Sequence, residues 1–256
     1  MPYDVITLAD RGYRYLPSAF QYSAGIQALD GFIIRRINFA RWVPMVEGFE
    51  YISAFLKKRG LPPTAFVACE LRSKLPFSSD GFKAFNTIYA DVLRKWGIFE
   101  GDNNPVARSN VCPEIDPPME TVFYSFSYVE PDDAKTPRSR PSFVISGGAE
   151  TISGLEQPDE RIVAYRDLSK EGMKRKIDRT FDEMTGRLGS LGLQWADTTS
   201  VQAYTVFDLY PHFLPIITVG GGAQNGLTWY PCRPPVQDVD FEMDCRGLET
   251  ETFVTS

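Results

Sequence analysis

Histidine is nearly absent from this 256-residue chain: His212 is the single one, which excludes every metal site built from several imidazoles. Set in LYPHFLPII, it reads as a turn or packing residue in preference to a catalytic one. The four cysteines, Cys69, Cys112, Cys232 and Cys245, fall at none of the spacings used for metal ligation or dithiol redox chemistry, so reduced thiols fit better than a disulfide frame. No Lys/Arg run offsets a formal charge of -6, which argues against nucleic acid or an anionic membrane as partner. No stretch approaches the roughly 18 apolar residues of a membrane span, and MPYDVITLADRGYRY lacks the zones of a secretion signal. The expectation is a cytoplasmic protein. There is no GxSxG elbow, P-loop or GxGxxG, and the glycines at 220–222 read as a flexible loop.

What is present is a globular composition. A 43% hydrophobic content supports a real core, and the length suits one large domain or two small ones. Residues 20–40 carry two strand-like runs around Asp30-Gly31, the grammar of a hairpin. Val46, Phe49, Ile52, Phe55 and Leu56 then recur at helical steps until Gly60, Pro62 and Pro63 stop them. The strand AFVACELRS follows, then a helix over about 80–96 with Phe82, Phe85, Ile88, Tyr89 and Val92 on one face, and a strand TVFYSFSYV. Beyond a loop dense in proline and charge, near residue 130, the grammar restarts. SFVISGG is a strand, and 169–191 a helix with Met173, Ile177, Phe181, Met184 and Leu188 on one face. SVQAYTVFDL, a short helical piece around 209–219, and the extended runs GLTWYPCRPP and DVDFEMDC complete the second cycle. Two diverged copies of one α+β unit are expected, spanning 1–130 and 131–256.

The richest stretch is 81–111, an amphipathic segment with Asn86 and Tyr89 that leads through Pro-Val-Ala-Arg-Ser into an apolar run. It sets Arg108 at the start of a strand, and an arginine fork matches a carboxylate well. Taken alone, Arg108 reads as a surface residue that caps the preceding helix or pairs with Asp102, in preference to a substrate anchor.

In these segments the chain resembles the Rid (YjgF) family of imine and enamine deaminases. QYSAGI is similar to that family's PYSQAV strand, GFKAFNTIYADVL to its DFxxFNxxYxxFF helix, and PVARSNV to its PARxxV strand entry. In the second half, SFVISGG resembles its FVSGQ strand and DFEMDC its VEIEA strand. The double-length chain looks most like deaminases of 2-aminomuconate and its chlorinated analogue. This resemblance implies tandem chorismate-mutase-like modules, each a mixed sheet with helices on one face. It also implies no cofactor and no metal, a small carboxylate substrate, and a homo-oligomer, a trimer before other assemblies. Tyr22, Asn86 and Arg108 match positions lining the family's site, with Arg108 as carboxylate anchor. Ser146-Gly147 match its close-approach glycine, and Glu242 its acidic residue.

The departures point to one composite site. The first copy lacks the Ser-Gly-Gln text and the glutamate, whereas the second has Leu227 and Thr228 about where an arginine belongs. One site shared between copies, within a chain or between chains, is therefore expected. Glu242, Asn86 and Tyr22 would handle protons and position the substrate, with Arg108, Gly147 and Ser146 binding it. A muconate carries a second carboxylate, for which Arg14 and Arg233 are the candidates. Bland readings stand beside these: Tyr22 as strand packing, Asn86 bonding a loop carbonyl, Glu242 facing solvent. Cofactor-free hydrolytic deamination is the leading function, and a noncatalytic metabolite-binding protein with the same pocket is the alternative.

Overall fold

Strands form where β-branched and aromatic residues alternate with polar ones, and helices where apolar residues recur every three or four positions. The computed structural model describes residues 3–101, 103–133, 140–212 and 224–255. In chain order these give β1 (Ile6–Leu8), β2 (Tyr13–Leu16), β3 (Gly25–Ala28), β4 (Phe32–Pro44), α1 (Met45–Lys58), β5 (Phe66–Arg72) and α2 (Ser79–Lys95). There follow β6 (Ala107–Pro113), β7 (Val122–Pro131), β8 (Phe143–Ala149), α3 (Pro158–Arg161), α4 (Lys170–Ser190), β9 (Ser200–Tyr204), β10 (Thr228–Tyr230), β11 (Cys232–Arg233), β12 (Glu242–Gly247) and β13 (Glu251–Val254). The fold is α+β, with two mixed sheets. Ser78 and Ser169 start the two longest helices, their hydroxyls accepting from Gly81 N–H at 3.2 Å and Gly172 N–H at 3.1 Å.

One sheet runs β1-β2-β3-β8-β12-β9-β10 and the other β11-β6-β5-β7-β4-β13. The order β6-β5-β7-β4 repeats as β10-β9-β12-β8, with one parallel pair and two antiparallel pairs in the same places. The halves also trade strands. β1, β2 and β3 complete the sheet of the second half, while β11 and β13 flank that of the first.

That exchange overturns the expected hairpin. Gly31 does turn the chain, at φ +82, but β3 lies between β2 and β8, whereas β4 lies between β7 and β13. The 13-residue β4 finds a long antiparallel partner in β7, matched from Phe32↔Pro131 to Pro44↔Val122, which a four-residue β3 cannot offer. Two helical faces also differ from expectation. Val46 and Ile88 are 67% and 61% exposed. The buried stripe of α2 is Asn86, Tyr89, Ala90 and Leu93, rotated so that Asn86 meets Arg108 on the sheet below. Of the helical piece expected around 209–219, the described part is one 3-10 turn, Tyr210–His212. The remainder, the glycines at 220–222 and Asp102 lie outside the described residues.

Helices cover the outer face of each sheet. Phe49, Ile52, Leu56, Tyr89 and Leu93 pack with Phe66, Leu71, Phe123 and Phe126, while Ile177, Met184 and Leu188 pack with Ile145, Val201 and Met243. The inner faces meet through charge. Strand alternation sends Arg36, Glu70, Arg72, Gln202, Tyr204, Glu242, Asp244 and Arg246 inward, all buried. Arg36 bonds Glu70, Arg246 donates to Gln202 at 2.8 Å, and Ser109 and Tyr204 donate to Asp244 at 2.6 and 2.9 Å. Burial pushes the Glu70 carboxyl up, but Arg36, Arg246 and Arg72 outweigh it and hold the group well below the usual range. All four cysteines are buried and unpaired. No helix among the described residues is long and apolar enough to cross a membrane.

Candidate active site

Three strand segments converge where the sheets meet: the start of β6, the glycine pair of β8 and the start of β12. Ser146 stitches them to the loop before β3. Its Oγ accepts from Arg108 N–H at 3.0 Å and donates to the Ser23 carbonyl at 2.5 Å, while its own N–H donates to the Ala24 carbonyl at 3.1 Å. Beside this junction lies a cavity of about 280 Å³, lined among others by Tyr22, Phe82, Arg108, Asn110, Gly147 and Glu242.

Arg108 is 3% exposed. Its Nη2 donates to Asn86 Oδ1 at 2.6 Å, and its guanidinium carbon lies 4.7 Å from the Tyr89 ring centre and 5.3 Å from that of Tyr22. Among the described residues no carboxylate pairs with it, and its Nη1 is buried without an acceptor. Asn110 Nδ2 and Arg161 Nε share that condition, and all three side chains line this cavity. Unmatched buried donors are uncommon in folded proteins. Three around one cavity describe a place for an acceptor-rich, anionic molecule.

Glu242 faces them as an acid. Burial first, then the Asp244 charge, pushes its carboxyl up to about 8, against the pull of Arg187 and Arg108. Gly147 makes its position possible, since a Cβ there would sit 2.1 Å from Glu242 Oε1. The far wall belongs to α4. Arg187 Nη1 donates to the Ser146 and Gly147 carbonyls at 2.9 and 3.3 Å, and its Nε to Glu183 at 3.1 Å. Arg179 donates to Glu183 at 3.0 Å, and the Tyr3 hydroxyl also bonds it. Burial raises the Glu183 carboxyl, but Arg187, Tyr3 and Arg179 prevail and hold it at about 2. Among the described residues, four arginines therefore line the cavity with one firmly ionised carboxylate and one that is mostly protonated at neutral pH.

Of the residues singled out from sequence, Tyr22, Arg108, Gly147 and Glu242 line this cavity together. Asn86 lies behind Arg108 and holds it, and Ser146 is spent on the backbone junction. Arg14 and Arg233 do not line it. Arg14, on β2, donates to Gln27 at 2.9 Å and to the Leu191 carbonyl at 2.8 Å. Arg233 is clamped by Glu114 at 2.8 and 3.0 Å, so Pro234, Pro235 and Val236 reach the cavity instead. His212 is buried away from it. Arg161, Arg179, Glu183, Arg187 and Asn110 were not anticipated. A four-residue step through Arg179, Glu183 and Arg187 was the one available signal, a single row on a helix.

The family model for 2-aminomuconate deaminase CnbZ matches residues 5–252. The chain belongs to this family. As a CnbZ-family member it is a deaminase, an enzyme acting on a C–N bond. It is similar to the 2-amino-5-chloromuconate deaminase of Comamonas testosteroni, with 43% identity over 251 residues that make up 98% of this chain and 99% of the relative. A crystal structure of a chorismatase superposes with a TM-score of 0.51 at 10% identity, covering 96% of this chain and 80% of that one, a likeness of fold alone. The residues that line the cavity, from Ser18 to Glu242, all fall inside the CnbZ-family match.

Proposed function

We propose that the chain hydrolyses 2-aminomuconate or a chlorinated analogue, releasing ammonia and a 2-oxo acid without a cofactor. One observation carries this reading: a buried guanidinium, Arg108, that no carboxylate among the described residues neutralises shares a cavity with a carboxyl whose pKa is raised to about 8. In this reading Arg108 holds the carboxylate next to the amino-bearing carbon, and Asn86 and the aromatic rings fix the fork. Glu242 begins protonated and gives its proton to the diene carbon chain as the nitrogen lone pair closes the C=N bond. The resulting carboxylate takes a proton from the water that attacks the imine carbon. That proton passes to nitrogen, ammonia leaves as the C=O bond forms, and the hydroxyl proton returns to Glu242. Tyr22 stacks beside the guanidinium and positions the substrate.

The same reading takes the chain as two Rid-like modules, 1–130 and 131–256, with the composite site between them. The repeated strand order and the origin of Arg108 and Glu242 in different halves support it. The test is ammonia release from 2-aminomuconate generated in situ, with wild type compared to Arg108→Ala. Truncating a buried anchor is expected to cost roughly 2 to 5 kcal/mol in kcat/KM. Unchanged turnover would reject Arg108 as the anchor, and binding without ammonia release would reject 2-aminomuconate as the substrate.

A further inference from the structure

Deamination as described uses Arg108 and Glu242 and leaves the other cations of the cavity without a task. Arg179 and Arg187 lie two turns apart on α4, about 12 Å along the axis at 1.5 Å per residue. The Arg187 end packs on Ser146 and Gly147, beside the reacting centre. One turn before Arg179, Lys176 donates to the Val163 carbonyl at 3.2 Å and pairs with Asp240 at 3.0 Å. This other end therefore packs on the segment that carries Arg161. The backbone of Arg161 is fixed on both sides: its N–H donates to the Gln157 carbonyl at 2.8 Å, and its carbonyl accepts from Ile152 N–H at 2.8 Å. An isolated bridge between Thr151 and Ile162 closes the same loop.

The arginines differ in how much of each is already committed. Arg187 gives its donors to two carbonyls and Glu183, and Arg179 is matched by the same glutamate. Arg161 pairs with no carboxylate among the described residues, and its buried Nε lacks an acceptor. A chain of net charge -6 thus concentrates uncompensated positive charge in one cavity, at two places on its wall. Arg108 and Arg161 are the two guanidinium groups of this wall that no carboxylate among the described residues neutralises.

We propose that Arg161, assisted by Arg179, forms a second anionic subsite that takes the distal carboxylate of a linear dicarboxylate whose amino-bearing end is held by Arg108. The subsite makes the enzyme selective for dianions over monoanions of the same carbon skeleton. This rests on the reading of Arg108 as the proximal anchor. Arg161 is a specificity residue here, and the chemistry at Glu242 does not pass through it.

The probes are muconate, a six-carbon diene dianion, and sorbate, the six-carbon diene monoanion. Each is titrated calorimetrically into the full-length protein and used as a competitive inhibitor of ammonia release. Wild type is expected to prefer muconate by about tenfold or more, which corresponds to about 1.4 kcal/mol. Arg161→Gln should bring the two affinities together, with sorbate affinity moving by less than about threefold, and Arg161→Lys should restore part of the preference. Arg179→Gln, read in the same way, should narrow the preference as well and serves if Arg161→Gln does not fold. Equal loss of both probes in Arg161→Gln, or an undiminished muconate preference, overturns the proposal. If wild type fails to release ammonia from 2-aminomuconate, the proposed substrate falls while the calorimetric preference still decides the subsite. If it turns over but Arg161→Gln keeps the preference, the subsite alone falls.

Discussion

Replacing Glu242 by glutamine should make the protein more resistant to alkaline unfolding and nearly inactive. The folded-state pKa of Glu242, about 8, lies above the ordinary 4.5, so the fold holds a proton that the unfolded chain gives up. The stability this lends is complete below about 4.5 and is lost as pH rises through about 8. A shift of that size corresponds to roughly 5 kcal/mol at full ionisation, and the neighbouring carboxyls Asp244 and Glu150 account for part of it, so about 2 to 5 kcal/mol is the working range. Glutamine keeps the shape and never ionises. Urea unfolding of wild type and Glu242→Gln at pH 5.5 and pH 9 isolates the effect, because Asp244 and Glu150 titrate in both proteins. The variant should gain on wild type by about 2 to 3 kcal/mol between the two conditions, because the part of the loss between pH 4.5 and 5.5 is already past at the lower one. Its ammonia release should fall by about 100-fold or more, the usual contribution of a general acid and base. Wild-type kcat/KM should decline above about pH 8, because the protonated carboxyl starts the cycle. A stability difference that does not change with pH would refute the burial argument, and an active variant would refute the role.

Two further substitutions probe the surroundings. Gly147→Ala places a methyl 2.1 Å from Glu242 Oε1 and must displace that carboxyl. Ammonia release should drop about tenfold or more while circular dichroism stays native, since a misplaced group of this kind loses its geometry before its fold. Lys176→Met leaves Glu150 and Asp240 without their shared cation at 3.6 and 3.0 Å. Breaking such a buried arrangement should cost roughly 3 to 5 kcal/mol in urea unfolding at neutral pH. Part of the loss should return in acid: burial raises the Glu150 carboxyl to about 7, so the group is neutral below that.

The parts of this molecule that sequence reveals are those written in neighbouring residues. Apolar residues at helical steps mark α2 and α4, alternation marks β5 and β12, and Arg108, Gly147 and Glu242 stand out because short local texts resemble a known family. Pairing is a different matter. Asp30-Gly31 gives the turn truly, but the partner of each flanking strand is chosen by segments about 100 residues away, so the hairpin reading fails. Ile88 is apolar and periodic yet exposed, because the polar Asn86 is drawn under α2 by Arg108. Arg161 carries no local signature at all. Its importance arises when a short turn and two distant strands close around it, while Arg233, equally plausible in sequence, is taken by Glu114.

The traded strands give the enzyme a definite order of birth. β3 cannot be flanked on both sides until β8 exists, and β4 waits for β13, more than 200 residues further along. Such long loops close slowly, and native contacts of this reach delay folding. Arg108 must therefore emerge, and wait, well before Glu242 is made. On the proposed mechanism a nascent chain has the anchor without the acid, so catalysis waits until the last strands have docked. Activity regained during refolding should lag the return of helical signal, and the lag would time the closing of the two sheets upon each other.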